Sequence, residues 1–123
     1  MNETRRAVLV VDDEWMIRDF INNHFKDRPE VQVVTVSSEE EAEARFVEIF
    51  PSLEAVIFDT TLSLKGIEWM RRQFSGLMIY STGGYLDDPE VQDFIRVHDL
   101  KELEKPYTSQ QLETVFAPLF SGH

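Results

Sequence analysis

The sequence predicts an α/β domain: a single doubly wound, five-stranded parallel sheet with helices on both faces. Short apolar runs rich in β-branched residues alternate with amphipathic helical patterns, strand then helix, five times over, and such alternation builds a parallel sheet with right-handed crossovers. Two of the runs, A-V-L-V-V at 7–11 and A-V-I-F at 55–58, are apolar throughout, which fits strands covered on both faces. Both end abruptly on carboxylates, Asp12-Asp13 and Asp59, at the strand ends where open parallel sheets gather their chemistry.

Taken in order, residues 7–11 form the first strand. Ile17, Phe20, Ile21, His24 and Phe25 then recur at helical spacing. Asp13 is the expected N-cap of that helix, with Glu14 in its first turn, and Arg28-Pro29 marks the exit. V-Q-V-V-T-V at 31–36 is the second strand by its β-branched content. Ser38 with Glu41, or Ser37 with Glu40, opens the next helix as a capping box. Ala42, Phe46, Val47 and Phe50 are its expected buried stripe, Pro51 stops it, and Glu39, Glu40, Glu41 and Glu43 read as a solvated helix start. The third strand ends on Asp59. A loop, T-T-L-S-L-K-G, leads through Gly66 into a short helix with Ile67, Met70 and Phe74 inward, and Ser75-Gly76 ends it. L-M-I-Y-S at 77–81 is the fourth strand, closing on Thr82-Gly83-Gly84. Asp88-Pro89 reads as an N-cap with proline at the first helical position, ahead of Val91, Phe94 and Ile95. The last strand, L-K-E-L-E at 100–104, is so charged that it fits only a sheet edge. Thr108 and Gln111 form a further capping box. Leu112, Val115, Phe116, Leu119 and Phe120 give the final apolar stripe, which Pro118 kinks or loosens. Five strands so connected take the flavodoxin-like order 2-1-3-4-5.

Composition narrows the function. The chain's 123 residues suffice for one domain with one core, its ordered part expected from about 6 to 120. With 42% apolar and 28% charged residues it reads as an ordinary globular chain. No apolar stretch approaches the ~20 residues of a membrane span, and no long apolar region follows M-N-E-T-R-R to make a signal peptide. A cytoplasmic location is expected. With no cysteine, disulfides, thiolate metal sites and thiol catalysis are excluded. The net charge of −11, from 23 acids against 12 bases, argues against nucleic-acid binding, which needs a cationic footprint.

In the order 2-1-3-4-5 the first and third strands are neighbours, so Asp12, Asp13 and Asp59 converge at the topological switch point. Crowded carboxylates repel, and a hard divalent cation resolves the repulsion; Mg²⁺ suits one or two carboxylates plus waters and a phosphate. The fourth strand ends on the hydroxyls Ser81 and Thr82. The fifth ends on Lys105-Pro106, whose ammonium reaches the same crevice and suits a phosphoryl oxygen. Each feature alone has a bland reading: a helix start, a turn, a solvated lysine. Four strand ends each carrying a suitable group are harder to dismiss.

This set, with Asp12-Asp13, Asp59, Thr82 and Lys105-Pro106 on successive strand ends, resembles the CheY-like receiver domain of two-component response regulators over essentially the whole chain. The resemblance implies a phosphorelay protein in which Asp59 accepts a phosphoryl group from a phosphohistidine of a sensor histidine kinase or histidine phosphotransfer protein. It implies Mg²⁺ held by Asp13, Asp59 and the backbone carbonyl of Thr61, with Asp12 acting through water. Lys105 contacts the phosphoryl group, and Thr82 donates a hydroxyl to it; Ser81 is the alternative hydroxyl in register, although the small Gly83 fits better behind Thr82. It further implies a downstream protein partner on the face of the fourth helix, fifth strand and fifth helix, and no enzymatic activity beyond gain and loss of the chain's own phosphoryl group. Four departures stand out: Ser63 where the family usually has proline, Gly66 one residue nearer to Asp59 than usual, a slightly long spacing from Thr82 to Lys105, and Glu102 where an aromatic switch residue is common. Glu102 is expected in solvent, on an acidic face with Asp88, Glu90, Asp93, Asp99 and Glu104. The alternatives are a degenerate receiver acting as a phosphorylation-independent binding module and a small Mg²⁺-dependent phosphohydrolase, which A-V-I-F-D-T-T disfavours by lacking a second Asp. With no output domain after Phe120, a stand-alone regulator and a receiver cut from a longer chain both fit.

Overall fold

Five strand–helix units succeed one another along residues 5–83 and 88–120, which the computed structural model describes. They are β1 (Arg6–Val11), α1 (Trp15–Phe25), β2 (Val31–Val36), α2 (Glu39–Ile49), β3 (Leu53–Phe58), α3 (Leu64–Gln73), β4 (Leu77–Thr82), α4 (Pro89–Val97), β5 (Lys101–Glu104) and α5 (Ser109–Val115). The strands pair in parallel in the order β2-β1-β3-β4-β5. The flavodoxin-like topology expected from the sequence is the one observed, and the charged β5 lies at an edge. Among the described residues, no helix is long and apolar enough to cross a membrane.

Side chains alternate across a strand, and the core divides accordingly. Leu9, Val11, Val56, Phe58, Met78 and Tyr80 cluster with Phe46 of α2, Met70 of α3 and Ile95 of α4. Val8, Val10, Ile57, Ile79 and Leu103 cluster on the other face with Ile21 and Phe25 of α1 and Leu112 and Phe116 of α5. Each fully buried Leu, Ile or Phe contributes about 1.5–3 kcal/mol. Parallel pairing of β1 with β3, which shifts register once between Ala7 and Val8, brings Val11 level with Phe58. Beyond it, the Asp12 N–H donates to the Val36 carbonyl at 3.1 Å and the Asp59 N–H to the Val11 carbonyl at 3.3 Å. The two acids therefore leave the sheet side by side.

Several boundaries differ from expectation. Asp13 does not cap α1: Glu14 occupies the N-cap position and makes no side-chain cap, its carboxylate being turned to Lys105. In α2 the buried stripe is Ala42, Phe46 and Ile49, whereas Val47 is 64% exposed and Phe50 41%. Val47 follows Phe46 by about 100° of helical rotation, which carries it off the core. Phe50 enters a 3₁₀ turn, Phe50–Ser52, and its ring lies only against the edge of the core, 5.5 Å from the Phe46 centroid. The capping serine of α2 is Ser38, but Glu41 reaches back to the Ser37 N–H at 3.0 Å. Helix α3 starts before Gly66, not after it. Ser63 caps it, its hydroxyl accepting the Gly66 N–H at 3.0 Å and donating to Glu39 Oε2 at 2.7 Å. A Cβ on Gly66 would come 2.0 Å from that Glu39 oxygen, so a larger residue here would displace the end of the Glu39 side chain. Helix α5 ends at Val115, and Pro118 sits in a separate 3₁₀ turn, Ala117–Leu119. Of the Thr82-Gly83-Gly84 strand end, Gly84 lies outside the described residues.

Candidate functional site

Two strand ends are built alike. Asp12 follows β1 and accepts the Glu14 N–H on Oδ1 at 2.8 Å. Asp59 follows β3 and accepts the Thr61 N–H on Oδ1 at 2.9 Å. In each an aspartate binds the backbone two residues on, the local bond that makes Asp a turn former. One oxygen of each carboxylate is thereby fixed, and the other meets Lys105. The Lys105 ammonium lies 3.0 Å from Asp12 Oδ2 and 3.2 Å from Asp59 Oδ2. A third carboxylate, Glu14, approaches it to 2.9 Å. An ammonium has three donors, and here each has a carboxylate oxygen.

Asp12 and Asp59 are buried, Asp13 and Glu14 exposed, and one oxygen from each of the four can be chosen so that all lie within 4.8 Å of one another. Burial raises the Asp12 pKa above its ordinary value; the Glu14 N–H and Lys105 oppose the rise and the Asp59 charge adds to it. For Lys105 burial works against the charge, but hydrogen bonds to Glu14 and Asp12 and the charges of Asp12 and Asp59 outweigh it, and its pKa is raised. The residues present fit a divalent cation: a cluster of hard oxygen donors, mostly carboxylate, with more negative charge than one lysine balances, is what Mg²⁺ takes.

Lys105 is held at the crevice by its own N–H, which extends the β5 ladder to the Thr82 carbonyl at 3.0 Å, and a cis peptide bond joins it to Pro106. Asp12, Asp13, Asp59 and Lys105 thus come together as expected, and Thr61 lies against Asp59 through its N–H. Thr82 is buried at the end of β4. Glu102 is exposed and accepts a hydrogen bond from the Gln92 amide at 3.0 Å, and Asp88, Glu90, Asp93, Asp99 and Glu104 are exposed with it.

Three participants escaped the sequence reading. Glu14 belongs to the cluster; the D-D-E triplet signalled it but was read as a helix start. Arg18 donates to the Asp12 carbonyl at 2.7 Å and braces the end of β1 from α1. Tyr107 packs its ring edge-on against Phe20, centroids 5.9 Å apart, and buries its hydroxyl beside Ser81. Burial pushes the phenol up to about 12, although the Ser81 hydroxyl pulls the other way.

No family model and no curated protein sequence matches the chain. Solved structures do. The chemotaxis protein CheY4 of Vibrio cholerae is 20% identical with a TM-score of 0.76, over 93% of this chain and 98% of that one. A response regulator receiver domain from Clostridium thermocellum is 24% identical with a TM-score of 0.76, over 92% of both chains. A two-component response regulator from Clostridium difficile is 15% identical with a TM-score of 0.79, over 95% of this chain and 98% of that one. At these identities the likeness is one of fold: the chain has the CheY-like receiver-domain fold.

Proposed function

We propose that the chain is a phosphorylatable signalling receiver. Asp59 accepts a phosphoryl group from a phosphohistidine of a sensor histidine kinase or histidine phosphotransfer protein in the cytoplasm, and the signal passes on by protein contact. The observation that carries this reading is the asymmetric hold on Asp59, one oxygen tied to the Thr61 N–H and the other turned to the Lys105 ammonium. Phosphoryl transfer asks mainly for positioning and for positive charge near the transferred group. Attack by the Asp59 oxygen forms an O–P bond as the P–N bond of the phosphohistidine breaks. The electron pair of that bond returns to the imidazole, and Asp59 is left as an acyl phosphate.

Asp13, Asp59 and the Thr61 carbonyl would hold Mg²⁺, with Asp12 acting through water. When bound, the ion supplies charge that offsets the phosphoryl oxygens. Lys105 exchanges part of its carboxylate contacts for the phosphoryl group, staying an ammonium throughout because its acidic neighbours favour that form. The hydroxyl that ends β4 donates to the phosphoryl group and reports occupancy; Ser81 follows Ile79 on the side of the sheet that Asp59 shares, and Thr82 follows Tyr80 on the other. Glu102 stays in solvent: burying an ionised glutamate costs several kcal/mol, more than the ~1–3 kcal/mol of a usual coupling. Activation therefore proceeds through the β4 hydroxyl and the loop it leads into, without an aromatic rotation. The face of α4, β5 and α5 that carries Glu102 recruits a basic partner.

The test is incubation with acetyl phosphate and Mg²⁺ followed by mass spectrometry. One added phosphoryl group on the wild type and none on Asp59→Asn is the expected result. No uptake by the wild type overturns the reading and leaves a phosphorylation-independent binding module.

A further inference from the structure

The two edges of the sheet are finished differently. β5 is four residues long, and Lys101, Glu102 and Glu104 stand exposed and charged along it, a common protection of an edge against further pairing. β2, at the other edge, is six residues long and reads V-Q-V-V-T-V. It has no charge, proline or glycine, and its register with β1 runs unbroken from Arg6 opposite Val31 to Val11 opposite Val36. Nothing in the strand itself discourages a further strand.

The ladder shows which bonds such a strand would find. The Arg6 N–H donates to the Glu30 carbonyl at 2.9 Å and the Asp12 N–H to the Val36 carbonyl at 3.1 Å, so the even-numbered residues turn their backbone groups to β1. Val33 and Thr35, between them, direct N–H and C=O outward. Among the described residues no strand meets them there.

Neither neighbouring helix closes over this row. One groove runs along 32–36 against Glu41, Ala44 and Arg45 of α2. A second lies along 31–33 beside α1 and its exit, and its charged lining is Arg5, Lys26 and Arg28 with no acid. Asp27 and Glu30, from the same turn, line neither groove. Arg28 is paired with Glu113, while Arg5 and Lys26 stand exposed. On the α2 side Glu41 is held by Ser37 and Arg45 by Glu48. The net charge of −11 counts for little here, because salt screens charges beyond about 8 Å. The local lining decides, and beside α1 it is cationic.

We propose that the outer edge of β2 is a docking site for an extended segment of a partner protein, added as a further strand, with acids at alternate positions and apolar residues between. Backbone bonds to Val33 and Thr35 supply affinity, and alternate side chains supply the choice of partner. Val31 and Val33 belong to the α1 side of the sheet, Val34 and Val36 to the α2 side. An added strand divides its side chains in the same way, one set towards Arg5 and Lys26 and the other towards Ala44. A second copy of this chain fits less well. Antiparallel pairing of two β2 edges about a two-fold axis brings both cationic grooves to one side of the joint sheet, like charge beside like. The site lies across the sheet from β5 and asks nothing of the phosphoryl chemistry.

The probe is a short fluorescein-labelled peptide alternating glutamate with valine, titrated by anisotropy at low salt. A lysine–valine peptide and the fully N-methylated glutamate–valine peptide are compared with it. The glutamate peptide should bind, weaken with salt, and protect the Val33 and Thr35 amides from hydrogen exchange. Thr35→Pro removes an outward N–H and no bond to β1, so it should keep its melting temperature and lose affinity on the order of tenfold. Lys26→Glu should lose about threefold, at low salt only. N-methylation should abolish binding to the wild type, which tests the backbone pairing even if Thr35→Pro unfolds. Absence of binding by the glutamate peptide, equal binding of the lysine peptide, or indifference to N-methylation overturns the proposal. So does a wild-type dimer in sedimentation that Thr35→Pro dissolves, which would assign the edge to a second copy.

Discussion

The crevice over β1 and β3 and the outer edge at β5 carry the same residue types, carboxylates with a lysine among them, and differ in almost everything else. At the crevice Asp12 and Asp59 are buried, each has one oxygen tied to a backbone N–H, and Lys105 touches three acids at once. At the edge Glu102, Glu104 and Lys101 stand in solvent, and Glu102 takes a single hydrogen bond from Gln92. Charges in water are screened and individually worth little. Charges withdrawn from it act strongly on each other and on whatever enters. Composition is common to the two regions; burial and fixed geometry make only one of them a chemical site.

That contrast can be broken most decisively at Asp59. Asp59→Asn should retain the fold and lose phosphoryl uptake altogether, as read by mass spectrometry and circular dichroism; a variant that still gains the mass is incompatible with the assignment. Next in size is Lys105→Ala, which leaves Asp12, Glu14 and Asp59 facing one another. It should cost about 3 kcal/mol of metal-free stability at neutral pH, measured by urea unfolding, and should uncouple any residual uptake from the spectral change seen in the wild type.

The pH dependence sharpens the comparison further. The Lys105 pKa is raised in the fold, so its contribution is complete below the ordinary lysine value of 10.5 and is lost only as pH rises past the folded value. The Asp12 pKa is also raised, and the sign is the same: the folded protein binds that proton more readily than the unfolded chain, although for an acid this makes its charged form at neutral pH a cost. Metal-free stability from Asp12 therefore increases as pH falls through the window just above 3.8. Bound Mg²⁺ stabilises by mass action and competes with protons, so its thermal shift should be largest near neutrality and vanish on acidification. A shift that grows on acidification would contradict ligation by these acids. Asp13→Ala should weaken Mg²⁺ binding about tenfold, some 1.4 kcal/mol, and an unchanged thermal shift would remove Asp13 from the ligand set. The smallest effect is expected at the edge. Glu102→Gln should leave uptake unaltered and change stability by no more than about 0.5 kcal/mol, while weakening capture of a basic partner at low salt only; a loss of uptake would show that the edge and the crevice are not separate.

How much of this was legible from residues alone depended on the range of the interaction. The strands and their order followed from uninterrupted apolar runs, which report burial directly. The convergence of Asp12, Asp13, Asp59 and Lys105 followed from topology, because strand ends in a parallel sheet share one rim. Val47 was misplaced because, next to Phe46 in α2, it is turned about 100° off the core, and Phe50 because the stripe was extended into a 3₁₀ turn that rotates differently from a helix. Asp13 was assigned a cap because pattern reading could not see that α1 starts one residue later, with Glu14 at the N-cap position. Tyr107 was overlooked for a related reason: nothing in K-P-Y-T distinguishes a phenol buried beside Ser81 from one at the surface.

The paired anchoring of Asp12 and Asp59 has a consequence for how a ligand is received. Freezing a flexible side chain when something binds costs about 0.5–1.5 kcal/mol each time. For these two the torsional freedom is already gone, surrendered on folding to the Glu14 and Thr61 amides. Asp13, out in solvent, still has its own to lose. An arriving ion would meet two acids at rest, and the conformational entropy lost on its arrival would fall mostly on Asp13.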